Sequence, residues 1–165
     1  MATRRKHLIL VAGLAVAMAV RLHAGEPSAA GAPMAVIVHK TSPVDNISLA
    51  DLRKLLNGVT HVWSDSTPVV LAQQPDTAAT QKRMLELILK TTPANYGRQL
   101  FRIQFQGGLP PNIRVLNSDA NAITFVWNVP GAVSIVDAGA AAASTHVKVL
   151  KVDGKLPSEQ GYPLQ

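Results

Sequence analysis

Residues 68–90, with the sequence PVVLAQQPDTAATQKRMLELILK, join a buried strand to an amphipathic helix through a short turn. The run at 68–72 is short, apolar and bounded by polar residues, which predicts a buried strand. From residue 77 to residue 90 the apolar side chains recur at helical spacing and share one face: Met84, Leu85, Ile88 and Leu89. A strand followed closely by a helix is the building unit of α/β proteins, so this stretch decides the fold class.

On either side of this unit the chain alternates further short apolar strands with helices. Strands are predicted at residues 34–38, 132–136 and 147–152, the last at a sheet edge. Helices are predicted to follow Ser48, Thr92 and Ser118, whose hydroxyl groups suit a helix start, and Gly58 ends the first of them. Residues 106–111 (QGGLPP) predict a loop. The expected fold class is α/β, a three-layer-like single lobe in which helices flank a mixed, mostly parallel sheet.

The first 24 residues predict a secretory signal peptide. Arg4, Arg5 and Lys6 precede an apolar run from residue 8 to residue 20, and Ala24 is a small residue at the cleavage position. A spanning helix needs about 20 apolar residues, so an uncleaved anchor is the weaker alternative. The mature protein is therefore expected in the periplasm, with no membrane insertion after cleavage. It should comprise a flexible leader at 25–33, a folded domain at 34–154 and a mobile tail at 155–165, whose apolar content is expected to be too small to anchor it.

Composition excludes several classes of function. The chain contains no cysteine, which excludes a lipid-modified cysteine, disulfide bonds and thiolate chemistry. It has 16 Lys and Arg against 10 Asp and Glu, but four of the basic residues fall in the predicted signal peptide: Arg4, Arg5, Lys6 and Arg21. The mature chain then keeps 12 basic and 10 acidic residues. Such a small surplus argues against nucleic acid as a partner, since nucleic-acid binders show a basic stripe.

Five landmarks in order make the sequence resemble the periplasmic phosphate-binding proteins of ABC transporters. They are residues 36–43 (VIVHKTSP), 49–58 (LADLRKLLNG) with Trp63 after it, 105–111 (FQGGLPP), 118–120 (SDA) and 130–138 (PGAVSIVDA). The likeness spans about residues 36–152, and no single motif in it is specific. It implies a lobe of the type II periplasmic binding protein kind. The larger members of the family clamp an anion between two lobes, and this chain is too short to supply both.

The resemblance places an anion site at the turn over residues 71–80 (LAQQPDTAAT). Backbone N–H groups at a helix start attract an oxyanion such as phosphate. The candidate ligand-binding residues are therefore those around the turn, with two hydroxyl residues after the first strand as additional donors: Gln74, Asp76, Thr77, Thr80, Thr41 and Ser42.

This turn departs from the family pattern in ways that predict weak binding. The phosphate binders place an Arg where this chain has Gln74, and a Ser where it has Ala78. A charge-assisted clamp on phosphate needs that Arg, and Asp76 adds a negative charge beside the same N–H groups. The competing interpretation is structural: Asp76 or Thr77 only caps the helix, and residues 41–42 only form a turn.

The remaining polar and aromatic residues favour structural roles. His61 and Asp65 are four residues apart but lie in a predicted loop, so a metal site there is a weak hypothesis. Asp137 is predicted to cap the helix after it, while Trp63 and Trp127 are predicted to lie in the core. The sequence contains no nucleophile elbow and no phosphate-cradling glycine loop, so neither an enzymatic activity nor a cofactor is expected.

Two functions follow from these observations. The first is a solute-binding module for phosphate or another small anion, with an ABC transporter permease as its partner, as the resemblance implies. The second is a protein-interaction module that keeps the fold without a ligand and serves another protein of the cell envelope. The missing Arg favours the second function, and the resemblance favours the first.

Overall fold

The computed structural model describes residues 31–165. The predicted signal peptide and most of the predicted leader lie outside this range. In chain order the elements of the described part are β1 (Met34–His39), β2 (Asn46–Ile47), α1 (Leu49–Leu56), β3 (Val70–Gln73), α2 (Ala79–Met84, continued by a π-helical turn over Leu85–Leu89), α3 (Pro93–Phe105), β4 (Ile113–Val115), α4 (Asp119–Asn128), β5 (Ala132–Asp137), α5 (Ala138–Ala142), β6 (Val147–Val149) and β7 (Lys151–Val152).

Five of these strands form the central sheet, in the order β4-β3-β5-β1-β6. β3 pairs in parallel with β4 and β5, whereas β1 pairs antiparallel with β5 and β6. Four strands therefore run in one direction and β1 runs against them, which confirms the mixed, mostly parallel sheet. β2 and β7 form a separate parallel pair.

Helices cover both faces of the sheet because successive strand side chains point to opposite sides. On one face, Val36 and Leu71 pack in a cluster with α1, α2 and the first turn of α3. On the other face, Ile37 and Ala72 pack in a cluster with α4 and α5. The described part thus forms the expected three layers around the central sheet.

The three predicted helix starts are confirmed by their caps. Ser48 Oγ accepts a hydrogen bond from the N–H of Asp51 at 3.0 Å, and Thr92 Oγ1 accepts one from Asn95 at 3.3 Å. Ser118 Oγ accepts the third, from the N–H of Asn121, at 3.2 Å. Each oxygen satisfies one of the backbone donors that a helix start leaves unpaired.

The helix predicted at 77–90 differs from the observed one at both ends. The N–H of Ala78 donates to the carbonyl of Pro75 at 2.8 Å, which closes a turn over residues 75–78 and delays the helix to Ala79. At the other end the helix widens into its π turn and stops at Lys90, whose φ is 54°. Leu85 and Ile88, predicted on the apolar face, are fully buried.

Two strands also differ from the prediction. β4 was missed because it is only three residues long and follows the Gly- and Pro-rich loop at 106–111. The predicted strand at 147–152 is divided between the edge strand β6 and the small pair that contains β7. Leu150, at the division, is fully buried, and its N–H donates to the carbonyl of Val36 at 2.8 Å.

The prediction that residues 155–165 have too little apolar content to anchor themselves is wrong. Tyr162 and Leu164 are buried in the same cluster as Leu71, with 3% and 0% of their surface exposed. The carbonyl of Leu164 also accepts a hydrogen bond from the N–H of Met34 at 2.9 Å. Two apolar side chains are enough to hold this segment against the start of β1.

Candidate functional site

Three parallel strands end side by side at one edge of the sheet. β3 lies between β4 and β5, and all three run in the same direction. The residues that follow them, beginning at Gln74, Leu116 and Ala138, therefore meet at what we call the carboxyl edge. Ligands of open α/β sheets bind outside the carboxyl ends of the strands, so the predicted turn lies where a ligand site is expected.

The turn between β3 and α2 leaves the first N–H groups of the helix without a side-chain cap. The N-cap residue is Ala78, which has no side-chain oxygen to accept a hydrogen bond. Asp76 and Thr77 are exposed and lie in the preceding turn. The interpretation that either of them caps the helix is therefore wrong, and the N–H groups of Ala79 and Thr80 are left for water or a ligand to satisfy.

Gln74 is engaged by a carboxylate rather than free for a ligand. Its side-chain amide donates a hydrogen bond to Asp119, in the first turn of α4. The second oxygen of Asp119 accepts a hydrogen bond from the N–H of Asp137, at the end of β5, at 3.3 Å. Gln74 and Asp119 thereby join the ends of β3 and β5 to the start of α4, and an anion would have to compete with Asp119 for the Gln74 amide.

Burial raises the pKa of the Asp119 carboxyl above its ordinary value, and the neighbouring Asp137 carboxylate raises it further. The hydrogen bonds from the Asp137 N–H and from Gln74 act in the opposite direction. Asp137 itself caps α5, as predicted, and accepts hydrogen bonds from the N–H groups of Gly139 at 2.8 Å and Ala140 at 3.2 Å. With Asp76 in the turn, the carboxyl edge carries three carboxylates, which oppose anion binding.

Thr41 and Ser42 do not belong to the same site. β1 runs against β5, so Met34 lies beside Asp137 while Val38 lies beside Val133. Val38 is therefore four residues, or about 13 Å along the strand, from the carboxyl edge. Residues 41 and 42 follow β1 at the opposite edge of the sheet. There they line a shallow groove with Trp63 and Gly131. The expectation that their hydroxyls could add to the anion site is wrong because β1 is antiparallel.

A buried polar network lies beside the turn and was not predicted from the sequence. Gln73, which is 8% exposed, donates through Nε2 to the Tyr96 hydroxyl at 3.1 Å, and that hydroxyl donates to the carbonyl of Leu56 at 2.7 Å. Gln81 lies alongside, with its Nε2 3.4 Å from Gln73 Oε1. The sequence contained a signal for this network. Gln73 lies two residues after Leu71 in the same strand, so the two side chains point to the same, core-facing side. The network ties α1, α2 and α3 to the end of β3.

The other aromatic and histidine residues lie away from this turn. Trp63 is buried, as predicted, and its Nε1 donates to the carbonyl of Gly131 at 2.9 Å. Trp127 is 46% exposed and stacks on the His146 ring with the centroids 4.2 Å apart, so the prediction that it lies in the core is wrong. Asp65 accepts a hydrogen bond from the N–H of Thr67 at 3.0 Å.

Among residues 31–165, no group of three or more His, Asp or Glu side chains is placed to hold a metal ion. No helix in the described part is both long and apolar enough to cross a membrane.

The fold has close counterparts among solved phosphate-binding proteins. The chain superposes on a putative phosphate ABC transporter substrate-binding protein with bound phosphate from Clostridium perfringens with a TM-score of 0.61, at 19% identity over 76% of this chain and 47% of that one. It matches an ABC-type phosphate transport receptor from Vibrio cholerae with a TM-score of 0.65, at 17% identity over 81% and 53%. For PstS from Borrelia burgdorferi the TM-score is 0.66, at 16% identity over 81% and 54%.

These likenesses are at the level of the fold. No protein-family model matches the chain, and no curated protein sequence is significantly similar to it. The chain spans about half the length of the solved structures that it matches. It thus has the fold of one part of the phosphate ABC transporter substrate-binding proteins, and by their names these structural neighbours are binding proteins rather than enzymes.

Proposed function

We propose that this chain is an exported, periplasmic binding module for a small oxyanion such as phosphate, and that it works with an ABC transporter. The anion would sit at the carboxyl edge, against the uncapped start of α2. The N–H groups of Ala79 and Thr80 would be its main donors, with the hydroxyls of Thr77 and Thr80 beside them.

The observation that carries this proposal is the structural likeness to phosphate-binding proteins, one of which has phosphate bound. The local geometry supports it, since the helix start at the turn has no side-chain cap. Unpaired N–H groups and the positive end of the helix dipole together favour an anion at that position.

The same geometry indicates low affinity. The amide of Gln74 is held by Asp119, and Asp76 lies in the turn beside the donors. Arg83, on the second turn of α2, donates to the carbonyl of Ala32. Without a guanidinium at the turn, binding should rest on neutral hydrogen bonds. We expect a dissociation constant nearer millimolar than micromolar, which corresponds to about 4 kcal/mol of binding free energy.

Isothermal titration of the protein from residue 25 onward with phosphate and sulfate tests the proposal. Asp76→Asn should tighten binding because it removes a negative charge beside the donors. Gln74→Arg should tighten it further through charge-assisted hydrogen bonds. Asp65→Asn, at the opposite edge of the sheet, is the matched control and should leave the affinity unchanged.

If the unaltered protein and both turn variants fail to bind phosphate or sulfate, the anion-binding proposal fails. A ligand-free interaction module on the same fold is then the function that remains. Micromolar binding by the unaltered protein would show that tight anion binding does not need a guanidinium group at the turn.

A further inference from the structure

Helix α3 carries two different side-chain stripes. Tyr96, Leu100 and Ile103 follow one another at helical spacing and form the inner stripe. Tyr96 is buried, with 4% of its surface exposed, and Leu100 packs against the main core. These contacts attach the first half of the helix to the protein, while residues 104–110 are all exposed.

The outer stripe alternates arginine with phenylalanine. Its members are Arg98, Phe101, Arg102 and Phe105, at the spacing i, i+3, i+4 and i+7, and all four are exposed. Phe101 and Phe105 expose 61% and 75% of their surface, and their ring centroids lie 4.4 Å apart. The two rings are tilted against each other and together expose an apolar patch beside charged residues, and such patches mark interaction sites.

The segment of the chain that contains the stripe carries only positive charge. Residues 87–118 contain no Asp or Glu and four basic residues, namely Lys90, Arg98, Arg102 and Arg114. The other described residues together carry eight basic and nine acidic side chains. The two salt bridges of the described part, Lys54–Asp51 and Lys148–Asp45, involve none of these four cations. The positive charge of the described part is therefore concentrated in the segment 87–118, which contains α3.

We infer that the outer stripe of α3 docks into an apolar groove with an acidic rim on another protein. The spacing of the stripe is that of a helix laid into a groove, where each side chain on one face becomes an anchor. Phe101 and Phe105 fill the apolar floor, and Arg98 and Arg102 pair with carboxylates on the rim. Arginine and aromatic residues together are the side chains that dominate binding energy at protein interfaces.

Two other occupants fit less well. A second copy of this chain docked through the same stripe would bring Arg98 and Arg102 against their equivalents, and like charges at an interface oppose association. A helix that lies on an anionic membrane separates a wide apolar face from a basic face. In α3 the arginines instead lie within the same stripe as the phenylalanines, which suits a groove with carboxylates at fixed positions.

A photo-crosslinking amino acid placed at Phe105, in the full chain expressed in its own cells, tests this inference. The same amino acid at Thr124, exposed on α4 on the opposite face of the sheet, is the control. We expect a protein adduct at residue 105 and not at residue 124, in which the crosslinked peptide of the partner lies in an apolar groove with Asp or Glu on its rim.

The purified partner is then titrated against matched variants. Phe105→Ser and Arg102→Glu should each weaken binding about tenfold, and a carboxylate-to-lysine change on the partner should recover the affinity of the Arg102→Glu variant. Val59→Ser and Lys151→Glu change an exposed apolar residue and an exposed cation elsewhere, and should leave affinity within about twofold. Unchanged thermal melts establish that the variants fold.

Several results would overturn the inference. One is equal crosslinking at residues 105 and 124, and another is a partner that binds the Phe105→Ser variant as tightly as the original chain. Co-sedimentation with phosphatidylglycerol vesicles that Phe105→Ser abolishes would assign the stripe to a lipid surface, and a dimer in sedimentation equilibrium that Phe105→Ser abolishes would assign it to a second copy. None of these results depends on anion binding at the carboxyl edge, because the outer stripe of α3 supplies no residue to the proposed anion site.

Discussion

Replacing Leu164 with alanine should destabilise the protein by about 2.4 kcal/mol. The Leu164 side chain is fully buried although it lies one residue from the last described position. The change removes three carbon groups from a buried site, each worth about 0.8 kcal/mol of transfer free energy. Residues 157–165 are held to the core by only two buried side chains and should relax more readily than a strand of the sheet, so the contribution of a residual cavity should stay small. The expected loss is a sizeable part of the 5–15 kcal/mol that stabilises a typical domain.

Denaturant unfolding followed by circular dichroism measures this loss, and thermal unfolding should show a midpoint lowered by about 8 °C. Leu109→Ala is the matched control, because Leu109 is 72% exposed and the same atoms are removed from water-facing surface. That variant should stay within about 0.5 kcal/mol of the original protein. A loss below about 0.5 kcal/mol for Leu164→Ala as well would refute the docking of residues 155–165 onto the core.

Three further predictions concern a buried leucine, the cap of α4 and the carboxyl group of Asp119. Leu85→Ala should cost about 2–5 kcal/mol in a denaturant melt, because the side chain is fully buried at the centre of the helix that follows the turn; a cost near zero would mean that this helix does not pack on the sheet. Ser118→Ala should cost about 1 kcal/mol through loss of the cap on α4, which Ser118→Asn should largely restore, and equal losses in both variants would argue against the cap. The raised pKa of Asp119 means that the folded state takes up this proton before the unfolded state does. Its contribution to stability therefore increases as the pH falls through the raised pKa towards about 3.8 and is lost as the pH rises again. The unfolding free energy of the original protein should therefore rise relative to that of Asp119→Asn as the pH falls from neutral towards about 3.8. A difference that does not change with pH would contradict a raised pKa for Asp119.

The sequence predicted most of the strands and helices because their signals are local. The caps at Ser48 and Ser118 and the apolar spacing of residues 84–89 depend on neighbours a few residues away. The prediction for residues 155–165 was wrong for the opposite reason, since Tyr162 and Leu164 are buried by distant parts of the chain. The prediction that Trp127 lies in the core was wrong because apolar neighbours in the sequence do not determine which face of α4 packs on the sheet.

The sequence predicted the strand-to-helix turn that carries the candidate site residues, but not the contacts that those residues make. The turn over residues 74–80 follows from the strand-to-helix pattern, and the structure places it at the carboxyl edge. The pairing of Gln74 with Asp119 joins residues that are 45 positions apart, so no local pattern could reveal it. The direction of β1, which separates Thr41 and Ser42 from this turn, likewise depends on strand pairing that the sequence does not display.

A phosphate titration of isotope-labelled protein, followed by two-dimensional amide NMR, is a direct test of the proposed anion site at the start of α2. An anion site at the start of α2 predicts saturable shifts centred on the N–H groups of Ala79 and Thr80, with half-saturation nearer millimolar than micromolar. Gln74→Arg should move the half-saturation to lower phosphate without changing which amides respond. Shifts confined to other parts of the chain, or no saturable shift in either protein, would contradict an anion site at the start of α2.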